Sequence, residues 1–241
     1  MHEHSEDIIR SIEKTFTHTD RFASFDFCYN FFHTYKGKLC GENIEKSCME
    51  LWSYLASWGM LRGSSALLQK SPASLAGIIK CIDEEIDKRI WEIDLPNYSE
   101  ANIEILNKTY KKIAKELKEI KVSATKTLVT KIMLGVFGSV PAFDTNFCSW
   151  ARDEYKEDEN VTNKFRGFNK ESLKIVYSFY WVNKVTFDGI KKEFIDFNGE
   201  GIGRLYPIAR LVDMYGFAKG ELIVTQRRKE AIKRKNYNNK R

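Results

Sequence analysis

Apolar residues recur three and four positions apart along most of this chain, a spacing typical of helices with one buried face. The clearest case is 99–120, where Leu106, Tyr110, Ile113 and Leu117 fall on one stripe and lysines occupy the opposite face. The same spacing predicts further helices near 8–16, 49–60, 75–90, 125–137, 145–156, 170–182, 186–197, 205–216 and 219–234. An aromatic-rich stretch at 22–32 suits a helix or a strand equally well.

Strand patterns are weak, and the dipeptide Asn198-Gly199 lies between two helical patterns rather than between alternating ones. The sequence therefore predicts an all-α fold, in the form of a compact multi-helix bundle. We expect one helical domain over 1–226, which can be divided into lobes at 1–97 and 98–226, followed by a basic C-terminal segment at 227–241.

The positive charge of the chain is concentrated at its C-terminal end. The net charge is +6, but 227–241 holds eight Lys or Arg against the single Glu230, so that segment carries +7 and the remainder sums to −1. Whole-chain charge is therefore no argument that the body binds nucleic acid. The segment is either a solvated extension or an arm whose Arg227 and Arg228 contact nucleic acid.

Composition narrows the class of protein. No run of eighteen apolar residues predicts a membrane span, and the polar N-terminus does not resemble a signal peptide. Five widely spaced cysteines form no Cys-x-x-Cys pair, which is typical of reduced thiols. All four histidines lie within the first 33 residues. We therefore expect a cytoplasmic, intracellular protein with no membrane partner, no metal site and no cofactor.

One segment, 120–147, offers specific chemistry. A short link ends the helix at 99–120, Lys126 opens the next helix, and a loop containing Pro141 leads to Asp144 at the predicted N-cap of a third helix. Between Lys108 and Lys131 there are eight lysines against two glutamates, a local charge of +6. The most basic part of the body thus adjoins the candidate motif.

This segment resembles the helix-hairpin-helix DNA glycosylases of the endonuclease III and 8-oxoguanine glycosylase type. That family has a hairpin, a lysine that begins the second helix, and an aspartate roughly eighteen residues later in a Val-Asp-Thr-His-like context. Lys126 and Asp144 are eighteen positions apart, and Phe143-Asp144-Thr145-Asn146 is similar to that context. The link 120–124 has no glycine where the family has Leu-Pro-Gly-x-Gly, and no four-cysteine cluster follows.

The resemblance implies base excision on a flipped nucleotide of damaged or modified duplex DNA. An unprotonated Lys126 would attack the sugar C1′, and Asp144 would stabilise the cationic sugar and transfer protons. Lys131 is a possible substitute nucleophile. Because it follows Lys126 by five residues, it faces another side of the helix. The residues expected to contact the DNA backbone are Lys111, Lys115, Lys118, Lys121, Ser123, Thr125, Lys131 and Arg62, together with Arg227 and Arg228 of the C-terminal segment.

A second hypothesis comes from another class of protein, a non-enzymatic helical module that binds a nucleic acid or a protein partner. In that case Asp144 is only a helix cap and Lys126 is a solvated lysine. Arg62 then belongs to a tight helical corner rather than to a phosphate site. A nuclease has little support, because no carboxylate cluster on a strand-like frame is present.

Overall fold

Helices dominate the computed structural model, which describes residues 2–13, 16–63 and 65–238. The α-helices are α1 (His2–Glu13), α2 (Ser24–Thr34), α3 (Ile44–Ser57), α4 (Ala76–Lys80), α5 (Glu100–Glu119), α6 (Lys126–Phe137), α7 (Thr145–Glu154), α8 (Glu159–Lys164), α9 (Lys170–Val182), α10 (Lys184–Gly189) and α11 (Ile208–Asn238). Two short strands, β1 (Glu193–Ile195) and β2 (Gly201–Leu205), form an antiparallel pair. The predicted all-α class and multi-helix bundle are confirmed.

The predicted helix at 75–90 is shorter than expected. Regular α-helix ends at Lys80, a π-helical turn follows over Cys81–Glu85, and Ile86 is extended. Within that turn the Asp83 carboxylate accepts hydrogen bonds from the backbone N–H groups of Leu39 (3.1 Å) and Cys40 (3.2 Å). The apolar spacing indicated which side chains are buried, but it carries no information about this contact with a distant loop.

The predicted helix at 186–197 is wrong from Ile190 onward. α10 ends at Gly189, and the chain then enters β1 and turns through Asn198-Gly199 into β2. The Asp196 carboxylate accepts the backbone N–H groups of Asn198 and Glu200, both at 2.9 Å, which stabilises the turn. Phe194 of β1 is buried and stacks on Tyr29 with ring centroids 4.4 Å apart. Packing on α2 therefore decides this conformation.

The two helices predicted at 205–216 and 219–234 are one continuous helix, α11. Gly216 and Gly220 do not interrupt it, because they lie where α7 packs against α11. A Cβ on Gly216 would be 2.6 Å from the Trp150 ring, and a Cβ on Gly220 would be 1.8 Å from the Asn146 carbonyl oxygen. The helix runs on through Arg227, so the basic segment begins as a continuation of the bundle.

α6 is the central helix of the core. Every residue from Leu128 to Phe137 is buried, including Lys131. α6 packs against α2, α3 and α5, so a polar side chain on it can only face neighbouring helices or an internal cavity. No helix in the described part of the chain combines the length and apolar character needed to cross a bilayer.

Candidate active site

Lys131 is a buried lysine in the middle of α6, with only 6% of its surface exposed. Its Nζ donates a hydrogen bond to the Trp58 carbonyl oxygen at 2.7 Å and lies 4.0 Å from Oδ2 of Asp144. Burial lowers the pKa of the Lys131 ammonium, while the nearby carboxylates of Asp144 and Asp213 oppose that shift. The environment therefore favours the neutral amine more than bulk water does.

Asp144 is the N-cap of α7, as its position after Pro141 predicted. Its Oδ1 accepts the Phe147 backbone N–H at 2.9 Å, while Oδ2 faces Lys131. Only 8% of the residue is exposed, and burial raises the pKa of its carboxyl above the ordinary value. One carboxylate thus serves as a helix cap and also faces a lysine across the interior.

Polar side chains of α6 and α11 hold the end of the loop before α7 and so fix the position of Asp144. The Thr130 hydroxyl donates to the Lys126 carbonyl at 2.7 Å and accepts the Phe143 N–H at 2.8 Å. The Thr127 hydroxyl donates to the Phe143 carbonyl at 3.1 Å. From α11, Oδ1 of Asp213 accepts the Ala142 N–H at 2.9 Å. The loop is therefore attached to both helices that flank it in space.

Asp213 belongs to a buried ion pair with Arg210, whose Nη1 lies 2.6 Å from Oδ2 of Asp213. The Arg210 guanidinium also lies over the rings of Phe25 (4.5 Å) and Trp58 (4.8 Å). Burial raises the pKa of Asp213 to about 6. Sequence analysis missed this pair, although opposite charges three residues apart inside the apolar run 208–214 were a visible signal.

Lys131, Asp144 and Asp213 line a cavity of about 800 Å³ that opens to the surface. Four aromatic side chains contribute to its lining. Trp58 and Phe22 contact each other edge to face, with ring centroids 6.3 Å apart, and Phe16 and Phe217 supply the other two rings. Its arginines are Arg21, Arg62, Arg210 and Arg228. The cavity thus joins a lysine–aspartate pair, an aromatic lining and several guanidinium groups.

The structure does not bring Lys126 to Asp144. Lys126 is absent from the cavity lining, and its Nζ donates to the Phe165 carbonyl oxygen instead. Because a helix advances about 100° per residue, Lys126 and Lys131 point in directions about 140° apart. The cavity lies on the side of α6 that carries Lys131. The residue considered as a substitute nucleophile therefore occupies the position expected for Lys126.

Of the residues expected to contact nucleic acid, Lys131, Arg62 and Arg228 line the cavity. The predicted contacts on α5 and on the link between α5 and α6 do not line it; they are Lys111, Lys115, Lys118, Lys121, Ser123 and Thr125, all exposed. Arg227 is paired with Asp153, with Nη2 3.8 Å from Oδ1. Apart from Arg227, the residues expected to contact DNA thus divide between the cavity and a separate surface formed by α5 and its link to α6.

The link between α5 and α6 turns without a glycine. Lys121 has a positive φ of 59°, and its N–H donates to the Lys118 carbonyl at 2.8 Å while Val122 N–H donates to the Leu117 carbonyl at 2.9 Å. These are the bonds of a glycine-type helix C-terminus. A lysine therefore occupies a left-handed position where glycine is favoured.

The pair of groups can carry out acid–base or nucleophilic chemistry, because an amine with a lowered pKa faces a carboxyl with a raised pKa. Within the described ranges no three or more His, Cys, Asp or Glu side chains are grouped so as to hold a metal ion. Comparisons of the chain with protein-family models, with curated proteins and with solved structures found no match. The functional proposal therefore depends on the residues of this chain alone.

Proposed function

We propose that the protein binds DNA and cleaves the N-glycosidic bond of a nucleotide whose base has been flipped into the cavity. The observation that carries this proposal is the 4.0 Å approach of Lys131 Nζ to Asp144 Oδ2 inside a cavity whose lining includes the rings of Trp58, Phe22 and Phe217. Lys131 takes the role that sequence analysis gave to Lys126, and Asp144 keeps its expected role.

The chemistry requires a neutral amine at the reacting carbon. The Lys131 nitrogen forms a bond to the sugar C1′, the bond from C1′ to the base nitrogen breaks, and its electron pair leaves with the base, which takes up a proton. Asp144 stabilises the positive charge that develops on the sugar and accepts a proton from the attached amine. The nitrogen electron pair then forms the C1′–nitrogen double bond as the C1′–O4′ bond breaks, and O4′ takes up the proton held by Asp144, which leaves an imine between Lys131 and the sugar.

The shape of the cavity supports a nucleobase as its occupant. A volume of about 800 Å³ lies in the range of cavities that hold organic ligands. Trp58, Phe22 and Phe217 supply aromatic surface, and bases stack on such rings irrespective of sequence. A base must leave the duplex to reach a lysine that is itself buried.

The test uses duplexes that carry oxidised, deaminated or alkylated bases, with borohydride to reduce the imine and trap the protein on DNA. We expect the wild-type protein to release at least one base and to form the trapped adduct. Lys131→Met, which removes the amine but keeps a long side chain, should abolish the adduct. The matched variant Lys126→Met should retain it, because Lys126 does not line the cavity.

Asp144→Asn separates the two roles of the aspartate. Asparagine is an equally good N-cap, so the fold should survive, while base release should slow by about 100-fold or more because the charge opposite Lys131 is lost. Unchanged excision in this variant, an adduct that persists in Lys131→Met, or no excision across the whole panel would overturn the proposal.

Binding without bond cleavage is the second candidate function. It is favoured by the contacts that the Lys131 amine already makes, since a hydrogen bond to the Trp58 carbonyl and a carboxylate nearby also satisfy a purely structural buried lysine. Under this candidate the protein binds damaged duplexes in a salt-dependent manner but releases no base, and Asp144→Asn binds as tightly as the wild type.

A further inference from the structure

Three exposed arginines reach the cavity from three separate parts of the chain. Arg21 begins a 3₁₀ turn before α2, Arg62 lies in the connection after α3, and Arg228 lies on α11. Among the residues whose side chains are described, none of the three has a carboxylate within 4.0 Å. Arg210 and Arg227, in contrast, are paired with Asp213 and Asp153.

Two of these exposed guanidinium groups also contact the protein surface. Arg21 lies over the Phe22 ring, 4.6 Å from its centroid. Arg62 lies against Gly59, where a Cβ would be 3.0 Å from its Cζ. Such packing lowers the conformational entropy that these side chains would lose when a ligand binds. The charges are therefore partly positioned before any partner arrives.

These three guanidinium groups, which have no ion-pair partner among the described side chains, fit an anion that can accept paired hydrogen bonds. Phosphate has the oxygen geometry that matches the fork of a guanidinium, and arginine is preferred over lysine for this contact. The Lys131–Asp144 pair lies in the buried part of the cavity, with 6% and 8% of the two residues exposed, and the Lys131 amine lies 5.5 Å from the centroid of the Trp58 ring. A nucleotide has the same polarity, with a flat base at one end and phosphate at the other.

We infer that Arg21, Arg62 and Arg228 bind the phosphates beside the nucleotide whose base occupies the cavity. This inference rests on the proposed function and identifies the surface of the protein that contacts DNA. That surface is formed by the turn before α2, the connection after α3 and the C-terminal part of α11. Exposed Lys111, Lys115 and Lys118 of α5, which sequence analysis selected for this contact, lie outside it.

The test measures binding of a duplex carrying a modified base, and of a free deoxynucleoside monophosphate, over a series of salt concentrations. Arg21→Gln, Arg62→Gln and Arg228→Gln are compared with Lys111→Gln, Lys115→Gln and Lys118→Gln, which remove the same charge from the exposed face of α5. Each arginine variant should weaken duplex binding roughly tenfold and reduce the slope of log K against log salt by about 0.9. The lysine variants should match the wild type.

Equal binding by the arginine variants and the wild type, or losses confined to the lysine variants, would overturn the inference. Loss of monophosphate binding in the arginine variants, with no duplex binding by any protein, would support the phosphate contact but assign it to a free nucleotide. Failure of the proposed function would be seen separately, as base excision by Lys131→Met or as no excision by the wild type on any duplex, whatever the arginine variants do to binding. The arginine variants should regain excision at saturating DNA.

Discussion

The Cα of Gly220 on α11 faces the backbone carbonyl of Asn146 on α7, so closely that a Cβ there would lie 1.8 Å from the oxygen. Asn146 is two residues from Asp144, so this contact sets the distance between α11 and the helix that Asp144 caps. A backbone carbonyl within a helix cannot move aside as a flexible side chain can. The packing of α7 on α11 therefore positions the candidate active site.

Gly220→Ala should lower the free energy of unfolding by about 3 kcal/mol or more, since the backbone of one helix must move. This loss should exceed the gain of about 1 kcal/mol that alanine brings to a helix interior. Denaturant unfolding measures the difference. Gly189→Ala is the matched control, because a Cβ at Gly189 meets nothing within 4 Å. Equal stability of Gly220→Ala and the wild type would contradict the close packing of α7 on α11.

Thr130→Val should destabilise the protein by about 1–3 kcal/mol, because it leaves the buried Phe143 N–H without its hydrogen-bond acceptor. Thr130→Ser keeps the hydroxyl and should recover most of the stability. If the proposed function holds, Thr130→Val should also slow base release, since the loop that carries Asp144 loses a contact to α6. Paired unfolding and single-turnover measurements test both effects, and a Thr130→Val protein as stable as Thr130→Ser would refute the role of the hydroxyl.

His33 should make the protein sensitive to mild acid. It stacks on Tyr29 with ring centroids 3.8 Å apart, and burial, aided by the charges of Arg204 and Lys36, lowers its pKa from 6.5 to about 4. The unfolded state binds the proton more tightly. The free energy of unfolding therefore keeps its full value above pH 6.5, where His33 is neutral in both states. As the pH falls towards about 4, protonation of His33 lowers it by up to about 3 kcal/mol.

His33→Phe keeps an aromatic ring against Tyr29 and removes the titration. Unfolding free energies of the variant and the wild type, compared between about pH 7.5 and about pH 4.5, should differ increasingly as the pH falls. Asp26 and Asp213 act in the opposite direction, since burial raises the pKa of each to about 6 and their protonation favours the folded state. Both carboxyls are present in the variant and in the wild type, so their contributions cancel in the difference between the two unfolding free energies. A constant difference across this range would exclude a shifted His33.

Lys121→Gly should stabilise the protein by about 1 kcal/mol, because glycine adopts the positive φ of 59° without the steric cost that a Cβ incurs. Lys121→Ala keeps the Cβ and removes the same charge, so it controls for electrostatics in this lysine-rich region. Thermal or denaturant unfolding ranks the three proteins. A glycine variant no more stable than the alanine variant would show that the left-handed conformation carries no penalty here.

Local sequence was enough to identify much of the framework. The stripe through Leu106, Ile113 and Leu117 predicted α5, and the cap at Asp144 predicted the start of α7. Both signals depend on residues within a few positions of each other, as helical periodicity and capping do. The position of Asp144 opposite a lysine was also expected, although the lysine chosen was Lys126.

Tertiary structure alone decided which lysine faces Asp144, which arginines line the cavity, and how the chain runs near Phe194 and Gly220. Spacing along a helix gives the angle between Lys126 and Lys131, but it does not tell which side of α6 adjoins the cavity. Trp58, Arg210 and Asp213 come to that cavity from sequence positions far from 120–147. Their contacts depend on how the helices pack, and packing is a property of the whole chain rather than of any local pattern.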